Sequence, residues 1–205
     1  MPSEIVIPKN NEEEFVEIAS RLGIKKLYFL YDFDDYDDKK IREKIETLGR
    51  KIIIEIGFIV DQKNLKKASM KSALLAVKSS DKDREFIESK KIRIIYGFEE
   101  FSRKDYIHQR ASGLNQILCE IARQNNVAVG FSYSPLLNKP GQVIPVLMGR
   151  MIQNINLCQK YKSKTIISSF SSEPFELRPQ HDITSMFKIF GMNGKTIKNS
   201  MAYNF

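Results

Sequence analysis

The chain has few of the side chains that build metal centres or disulfide frameworks. Its 205 residues include two histidines and two cysteines, whereas metal-dependent hydrolase barrels gather several imidazoles and carboxylates around their ions. Cys119 and Cys158 each lie in a helical pattern and show no CxxC spacing. We therefore expect two reduced core thiols, without a zinc site or a disulfide framework.

Segments typical of export or membrane insertion are also missing. The stretch from Met1 to Ile7 has no basic start and no apolar core, and the most apolar run, Ile52 to Val60, is short and interrupted by Glu55. The chain shows no linker rich in proline and glycine and no low-complexity tract. We expect one domain over residues 1–205, located in the cytoplasm and without a membrane partner.

Charge is distributed unevenly along a chain whose formal net charge is +8. Through residue 50 there are 9 Lys and Arg against 12 Asp and Glu, and from residue 103 onward there are 13 against 5. A basic half of this kind is typical of a polyanion partner, because each cation near a phosphate releases condensed counterions. The charge pattern favours nucleic acid, with mere solubility of a protein scaffold as the alternative.

Short β-branched runs alternate with amphipathic helical segments along the chain. Seven runs, most of them continuously apolar, are predicted as strands: Glu4 to Ile7, Lys25 to Asp32, Lys51 to Val60, Ala73 to Ser79, Lys91 to Gly97, Val127 to Ser132 and Thr165 to Phe170. Six segments are predicted as helices: Asn11 to Leu22, Asp38 to Leu48, Asp83 to Ser89, Leu114 to Gln124, Gln142 to Tyr161 and Asp182 to Phe190. N-caps are expected at or near Asp37, Asp81 and Ser112, and helix ends at Gly23, Gly49 and Gly191.

Strands followed by helices predict a parallel sheet with right-handed crossovers. An open doubly wound sheet and a closed barrel both fit this order, but the chain has no GxGxxG or P-loop sequence at a strand-to-helix turn. The pattern therefore favours an α/β fold of the TIM-like (β/α) barrel type. At 205 residues the barrel must be trimmed, with short or missing helices between Asp61 and Ser72.

The strand ends where such barrels build active sites are poor in general acids, bases and metal ligands. They offer Asp32, Asp61, Ser79, Ser80, Gly97, Phe98, Ser132, Ser134 and the run from Ser168 to Ser172. That serine run has no GxSxG elbow and no histidine placed as a base. Its interpretation is hydroxyl contacts to phosphates rather than nucleophilic catalysis.

The densest carboxylate cluster lies between Tyr31 and Asp38. Oxygen ligands of this kind suit hard cations such as magnesium. The alternative is a solvated loop whose last aspartates cap the following helix and favour its N-terminus.

Two basic segments follow predicted strands and should lie at the rim of a barrel. The segment from Arg103 to Asn115 contains His108 and Arg110. Clustered cations at a rim suit phosphate binding, and an arginine that satisfies loop carbonyls beside a packed histidine is the alternative.

The second basic segment runs from Pro174 to Asp182 and contains Arg178 and His181. The proline after Arg178 keeps this arginine extended and outside any helix. We expect both residues in a late rim loop.

At these segments the sequence resembles the family of ribonuclease P protein component 3, the archaeal counterpart of the eukaryotic thirty-kilodalton RNase P subunit. The matching residues are Gln109 to Leu118, Val127 to Leu137, Asn154, Cys158, Lys160, Tyr161, Ile166 to Ser169 and Glu176 to Ile183. The likeness is specific from Asp105 to the C-terminus, and before residue 100 it rests on the order of strands and helices.

The resemblance implies a TIM-like barrel related to the polymerase-and-histidinol-phosphatase barrel but without its metal ligands. It also implies a subunit of the endonuclease that removes the 5′ leader of precursor tRNA, in which the RNA carries the catalysis. Expected partners are ribonuclease P RNA, precursor tRNA, other RNase P proteins and protein component 2, which has an RNA-recognition-like fold. No cofactor is expected on the protein, and magnesium is expected to serve the RNA.

We therefore expect a tRNA-processing, RNA-binding subunit without catalytic residues of its own. The expected RNA contacts are His108, Arg110, Arg178 and His181, with Lys90, Lys91, Lys160, Lys162 and Lys164 as the other candidate face. Arg123 and Arg150, inside predicted helices, are poorer candidates. The alternative function is a metal-dependent phosphoesterase of the polymerase-and-histidinol-phosphatase class that retains a metal near the loop from Asp32 to Asp38.

Overall fold

The computed structural model describes residues 3–49, 52–100, 105 and 110–203. Within these residues seven parallel strands form one sheet in sequence order: β1 (Ser3–Val6), β2 (Lys26–Asp32), β3 (Ile53–Ile59), β4 (Leu75–Lys78), β5 (Ile94–Tyr96), β6 (Ala128–Ser132) and β7 (Thr165–Ser168). All seven predicted strands are confirmed, with shorter ends in most cases. The parallel order follows from the helical crossovers between successive strands.

Helices cover the outside of the sheet. In the described part of the chain they are α1 (Glu12–Arg21), α2 (Asp38–Leu48), α3 (Leu65–Lys71), α4 (Asp83–Glu88), α5 (Gln116–Gln124), α6 (Pro135–Asn138), α7 (Ile144–Tyr161), α8 (Gln180–Ile189) and α9 (Gly194–Met201). The six predicted helices are confirmed, and α3 is short, as expected for that stretch. None of the helices in the described residues is long and apolar enough to cross a membrane.

Local sequence explains most helix ends. Asp37 caps α2 by accepting from the Lys40 amide, and Gly23 and Gly191, at φ of 73° and 93°, follow the ends of α1 and α8. The other two caps lie near the expected positions. The N-cap of α4 is Lys82, next to Asp81. The N-cap of α5 is Asn115, three residues after Ser112, and its side chain accepts from the Leu118 amide at 2.9 Å.

The sheet curls until its last strand approaches its first. The Phe170 amide donates to the Ile5 carbonyl at 2.9 Å, and the Ile7 amide donates to the Ser171 carbonyl at 2.7 Å. Contacts at this seam come from the segment after β7 rather than from a full strand ladder. The fold is the trimmed TIM-like barrel that the strand order predicts, and the doubly wound alternative is wrong.

The interior of the barrel is packed with side chains. Tyr96 and Phe170 stack at its centre with ring centroids 4.4 Å apart and planes within 6°. A Cβ at Gly130 would lie 2.8 Å from the Tyr96 Cβ, so only glycine leaves room for the stacked pair. The interior is therefore a second core, and functional contacts must lie at the ends or on the outside.

A separate and larger core lies between the sheet and the helices. Cys119 on α5 and Cys158 on α7 are buried there as free thiols, as the sequence predicts. Helix α9 and Tyr203 close the end of the barrel where the strands begin. The Ser3 hydroxyl donates to the Met201 carbonyl at 3.2 Å, and the Tyr203 hydroxyl donates to the Ile167 carbonyl.

Candidate nucleic-acid interface

Arg110 lies in the loop between β5 and α5, held against the outside of α7. The Gln153 side chain accepts from the Arg110 amide at 3.3 Å and donates to the Arg110 carbonyl at 3.0 Å. The guanidinium lies over Gly149, where an added Cβ would fall 2.4 Å from the Arg110 Cζ. The Arg110 side chain is 46% exposed, so part of its guanidinium faces solvent at the predicted place.

Asp105 joins Arg110 to a second, buried arginine. Its Oδ1 accepts from the Arg150 Nε at 2.9 Å, and its Oδ2 lies 3.3 Å from the Arg110 Nη1. Burial works to raise the pKa of Asp105, but the Ala111 amide and the two guanidinium groups bring the pKa below its ordinary value. Arg150, with a side chain 7% exposed, is thus a structural partner, while Arg110 presents charge outward.

Arg178 lies in the loop after β7, outside any helix, as its following proline predicts. Its Nη1 donates to the carbonyls of Phe175 and Leu177 at 2.7 and 2.8 Å. One guanidinium nitrogen therefore satisfies carbonyls of its own loop. Nε and Nη2 make no hydrogen bond within the part of the chain that the structure describes, and they remain for a ligand.

Of the two candidate histidines, the structure describes His181. His108 lies outside the described residues. His181 was expected in a rim loop, and this is wrong: it lies in the first turn of α8, which begins at Gln180, directly after Pro179. The His181 side chain is 90% exposed, with Nδ1 3.5 Å from the Asp182 carboxylate.

The five lysines of the other candidate face lie at the opposite end of the barrel. Lys90 and Lys91 precede β5, Lys160 lies in the last turn of α7, and Lys162 and Lys164 precede β7. All five are exposed. The nine candidate residues thus do not form one site.

The serine run after β7 faces inward, which contradicts the expected phosphate contacts. Ser168, Ser169 and Ser171 are each buried. Ser168 Oγ donates to the Glu4 carboxylate at 2.8 Å, Ser169 Oγ donates to the Ile5 carbonyl at 3.1 Å, and Ser171 Oγ donates to the Glu176 carboxylate. The hydroxyls of Ser168 and Ser169 thus hold the seam of the barrel, and that of Ser171 holds the rim loop.

The acidic loop after β2 is a turn and a helix start. The Asp32 carboxylate accepts from the Asp34 amide at 3.1 Å, Asp37 caps α2, and Asp38 pairs with Arg42 at 2.7 Å. The capping interpretation is confirmed for Asp37. Within the described residues, no group of three or more His, Cys, Asp or Glu side chains is placed to hold a metal ion.

Two exposed residues near the candidate surfaces were not predicted from the sequence. Phe175, 79% exposed, projects from the rim loop beside Arg178. That loop is fixed by Glu176, which accepts from Ser134, Ser171 and Asn138. Arg93 is exposed next to Lys90 and Lys91. Arg93 immediately precedes the apolar run of β5, and this position in the sequence could have identified it as a candidate.

Comparison with known proteins gives consistent matches. The family model described as RNase P subunit p30 matches residues 9–205. The protein named ribonuclease P protein component 3 from Methanosarcina acetivorans is 31% identical over 83 residues, which is 40% of this chain and 35% of that protein. The proteins of the same name from Methanothermobacter thermautotrophicus and Thermococcus gammatolerans are 23% and 28% identical, over 89% and 83% of this chain and 77% and 78% of those proteins.

A solved structure shares the fold. A chain of the cryo-EM structure of archaeal ribonuclease P with mature tRNA superposes with a TM-score of 0.82 at 18% identity, covering 97% of this chain and 86% of that chain. The alignment with the Methanosarcina acetivorans protein spans about a third of that protein's length, 35%.

Proposed function

Because the chain belongs to the RNase P subunit p30 family, we propose that it is a protein subunit of ribonuclease P, the endonuclease that removes the 5′ leader of precursor tRNA. The match over residues 9–205 carries this proposal, since it covers nearly the whole barrel. In this proposal the RNA performs the cleavage, and the protein binds and positions it. The relatives' names favour this function over a metal-dependent phosphoesterase.

The proposed partners are ribonuclease P RNA, precursor tRNA, protein component 2 and other RNase P proteins. The name of the structural neighbour, an archaeal ribonuclease P with mature tRNA, supports such an assembly. We place the assembly in the cytoplasm. The protein carries no cofactor in this proposal, and the magnesium that the reaction needs is held by RNA.

RNA contacts are proposed at both ends of the barrel. Arg110 and Arg178 offer partly free guanidinium groups at the rim, with His108 and His181 near them in sequence. The lysines at positions 90, 91, 160, 162 and 164 form the second group. Phosphate contacts of this kind give affinity with little sequence preference.

Assembly with the cognate RNA tests the proposal directly. The chain, protein component 2 and ribonuclease P RNA are mixed in equal amounts and separated by size-exclusion chromatography, with a tRNA-sized unrelated RNA as the control. We expect the chain to elute with ribonuclease P RNA at salt that releases it from the unrelated RNA. Elution as free protein in both cases would contradict the proposal.

A further inference from the structure

Three neighbouring turns bring basic side chains to the end of the barrel where the strands begin. They precede β5, β6 and β7, which lie side by side in the sheet. Their cations, here called the basic end, are Lys90, Lys91, Arg93, Arg123, Lys160, Lys162 and Lys164. All seven are exposed, although they are spread over 75 positions of the sequence from 90 to 164.

Helix stabilisation does not account for this clustering. Arg123 and Lys160 lie in the last turns of α5 and α7, where cations complement the negative helix end. Lys91, Arg93 and Lys164 lie outside the helices, past the reach of that effect. A ligand of opposite charge would account for the residues that lie outside the helices.

The charges of the basic end are largely unbalanced. The neighbouring acids already have partners, since Glu88 pairs with Arg84 at 2.7 Å and Glu120 pairs with Arg123 at 3.0 Å. Within the described residues, no salt bridge joins the other six cations to an acid. At the opposite end of the barrel, the loop after β2 carries exposed acids at Asp32, Asp34, Asp35 and Asp37. The basic end therefore carries an excess of positive charge.

The basic end has a surface suited to a regular phosphate backbone. Adjacent strands lie about 4.8 Å apart, so the three turns spread their cations over about 10 Å or more. Among the described residues of these turns and the helix ends beside them, the aromatic side chains are Phe86, which is buried, and Tyr161. Tyr161 is half-buried, lies under Lys160, and donates its hydroxyl to Gln116. A stacking platform for unpaired bases is thus missing there, which disfavours single strands.

We propose that the basic end binds the backbone of double-helical RNA, at the opposite end of the barrel from Arg110 and Arg178. This inference rests on the proposed function, extends its second group of contacts by Arg93 and Arg123, and assigns one form of RNA to that group. Duplex RNA is recognised mainly through phosphates and shape. The four residues of β7 separate the two ends by about 10 Å, so the ends contact different segments of one RNA.

Charge-neutralising variants of the full chain test the proposal. Lys90→Asn and Lys162→Asn are combined with Lys91→Gln and Lys164→Gln, because Lys90 and Lys162 have φ of 58° and 55°, which asparagine tolerates. The matched control replaces the exposed Lys39, Lys40, Lys66 and Lys67, on α2 and α3, with Gln. Fluorescence anisotropy measures the binding of a 20-base-pair RNA duplex and of a single strand of equal length at several salt concentrations.

We expect the basic-end variant to bind the duplex about 10-fold or more weakly than wild type at physiological salt, with the salt slope reduced by about one unit per lost contact. The control should change binding by less than about threefold. Circular dichroism verifies folding, and the double variant Lys91→Gln with Lys164→Gln, which avoids the positive-φ positions, should lose part of the affinity. Equal losses in the basic-end variant and the control, unchanged binding, or a loss confined to the single strand would each overturn the proposal.

Failure of this inference is distinguishable from failure of the proposed function. A basic-end variant that binds duplex RNA normally, in a chain that still assembles with ribonuclease P RNA, overturns the surface alone. A wild-type chain that does not assemble overturns the proposed function.

Discussion

Glu4 is a buried carboxyl at the seam where the barrel closes. Its Oε1 accepts from the Tyr133 hydroxyl and from the Ser169 amide at 3.1 Å, and its Oε2 accepts from Ser168 Oγ at 2.8 Å. Burial raises the pKa of Glu4 to about 7, although these hydrogen bonds oppose the rise. The protonated acid keeps its hydrogen-bond partners, because Ser168 Oγ is able to accept its proton and donate to the Ile5 carbonyl instead.

The raised pKa predicts that stability falls as pH rises. The folded pKa of about 7 exceeds the ordinary 4.5, so the contribution of Glu4 is fully present below pH 4.5 and is lost as pH rises through 7. The loss is on the order of 3 kcal/mol. Urea unfolding at pH 5 and pH 8 should show this decrease in wild type and a smaller one in Glu4→Gln.

A residual decrease is expected in Glu4→Gln, because burial also raises the pKa of Glu99 to about 8. Glu4→Ala is the contrasting variant. It leaves the donors of Tyr133, Ser168 and Ser169 without an acceptor and should cost about 1–3 kcal/mol for each donor that stays unpaired. The same pH dependence in Glu4→Gln as in wild type would contradict the assignment.

Gly149 controls the position of Arg110. A Cβ at this helical position would lie 2.4 Å from the guanidinium, so Gly149→Ala should displace Arg110 from Asp105. Alanine also favours the helix by about 1 kcal/mol. We expect Gly149→Ala to melt no lower than wild type while binding RNA as weakly as Arg110→Ala, and the double variant to lose no more.

Gly194→Ala is the control for that prediction, because its added methyl meets open space at the start of α9. Thermal melting and anisotropy are measured on all four variants and wild type. Wild-type RNA affinity in Gly149→Ala would show that the guanidinium position over α7 has no part in binding.

At the scale of elements, the local sequence predicts those strands and helices whose own hydrophobic pattern determines them. The apolar runs of β2 and β6 are covered on both faces, and their hydrophobic pattern alone indicates buried strands. Helix α9 was missed because it is short and begins with Gly-Lys-Thr. Its stability comes from distant contacts, such as the hydrogen bond between Thr165 and Ser200.

The serine run after β7 also makes contacts that the local sequence does not indicate. Hydroxyls after a strand suggest a ligand, but the acceptor of Ser168 is Glu4, 164 residues away in sequence. A pairing of that range has no local signal. The interpretation of the run as phosphate contacts failed for this reason.

Tyr203 makes the segment after α9 a structural element of the barrel. It is 6% exposed, packs its ring edge against Tyr28 at 5.7 Å, and donates to the Ile167 carbonyl. Tyr203→Ala should cost about 3–5 kcal/mol of unfolding free energy, as for other buried aromatics. Tyr203→Phe, which keeps the ring, should cost about 1–2 kcal/mol.

Urea unfolding followed by circular dichroism measures both variants of Tyr203. The order of the two losses is the diagnostic result, because ring packing outweighs a single hydrogen bond. Equal stability of wild type and Tyr203→Ala would mean that the barrel closes without the contacts of Tyr203.

At the scale of the whole molecule, the common direction of the parallel strands decides at which end of the barrel each candidate residue lies. Arg110, Arg178 and the lysines between 90 and 164 were predicted as candidates, because basic residues next to apolar runs are recognisable in the sequence. The sequence did not show that these residues lie at opposite ends of the barrel. That separation depends on which end of each strand a turn joins, and it places the two predicted candidate faces at opposite ends of the barrel.

Cleavage of precursor tRNA in a reconstituted assembly tests the central claim most directly. Ribonuclease P RNA, protein component 2 and the remaining RNase P proteins are combined with and without this chain, and a third reaction contains the proteins without the RNA. The account predicts that the chain raises the rate of 5′-leader removal when the RNA is present and that no leader is removed without the RNA. Cleavage by the proteins alone, or a rate that is the same with and without the chain, would contradict it.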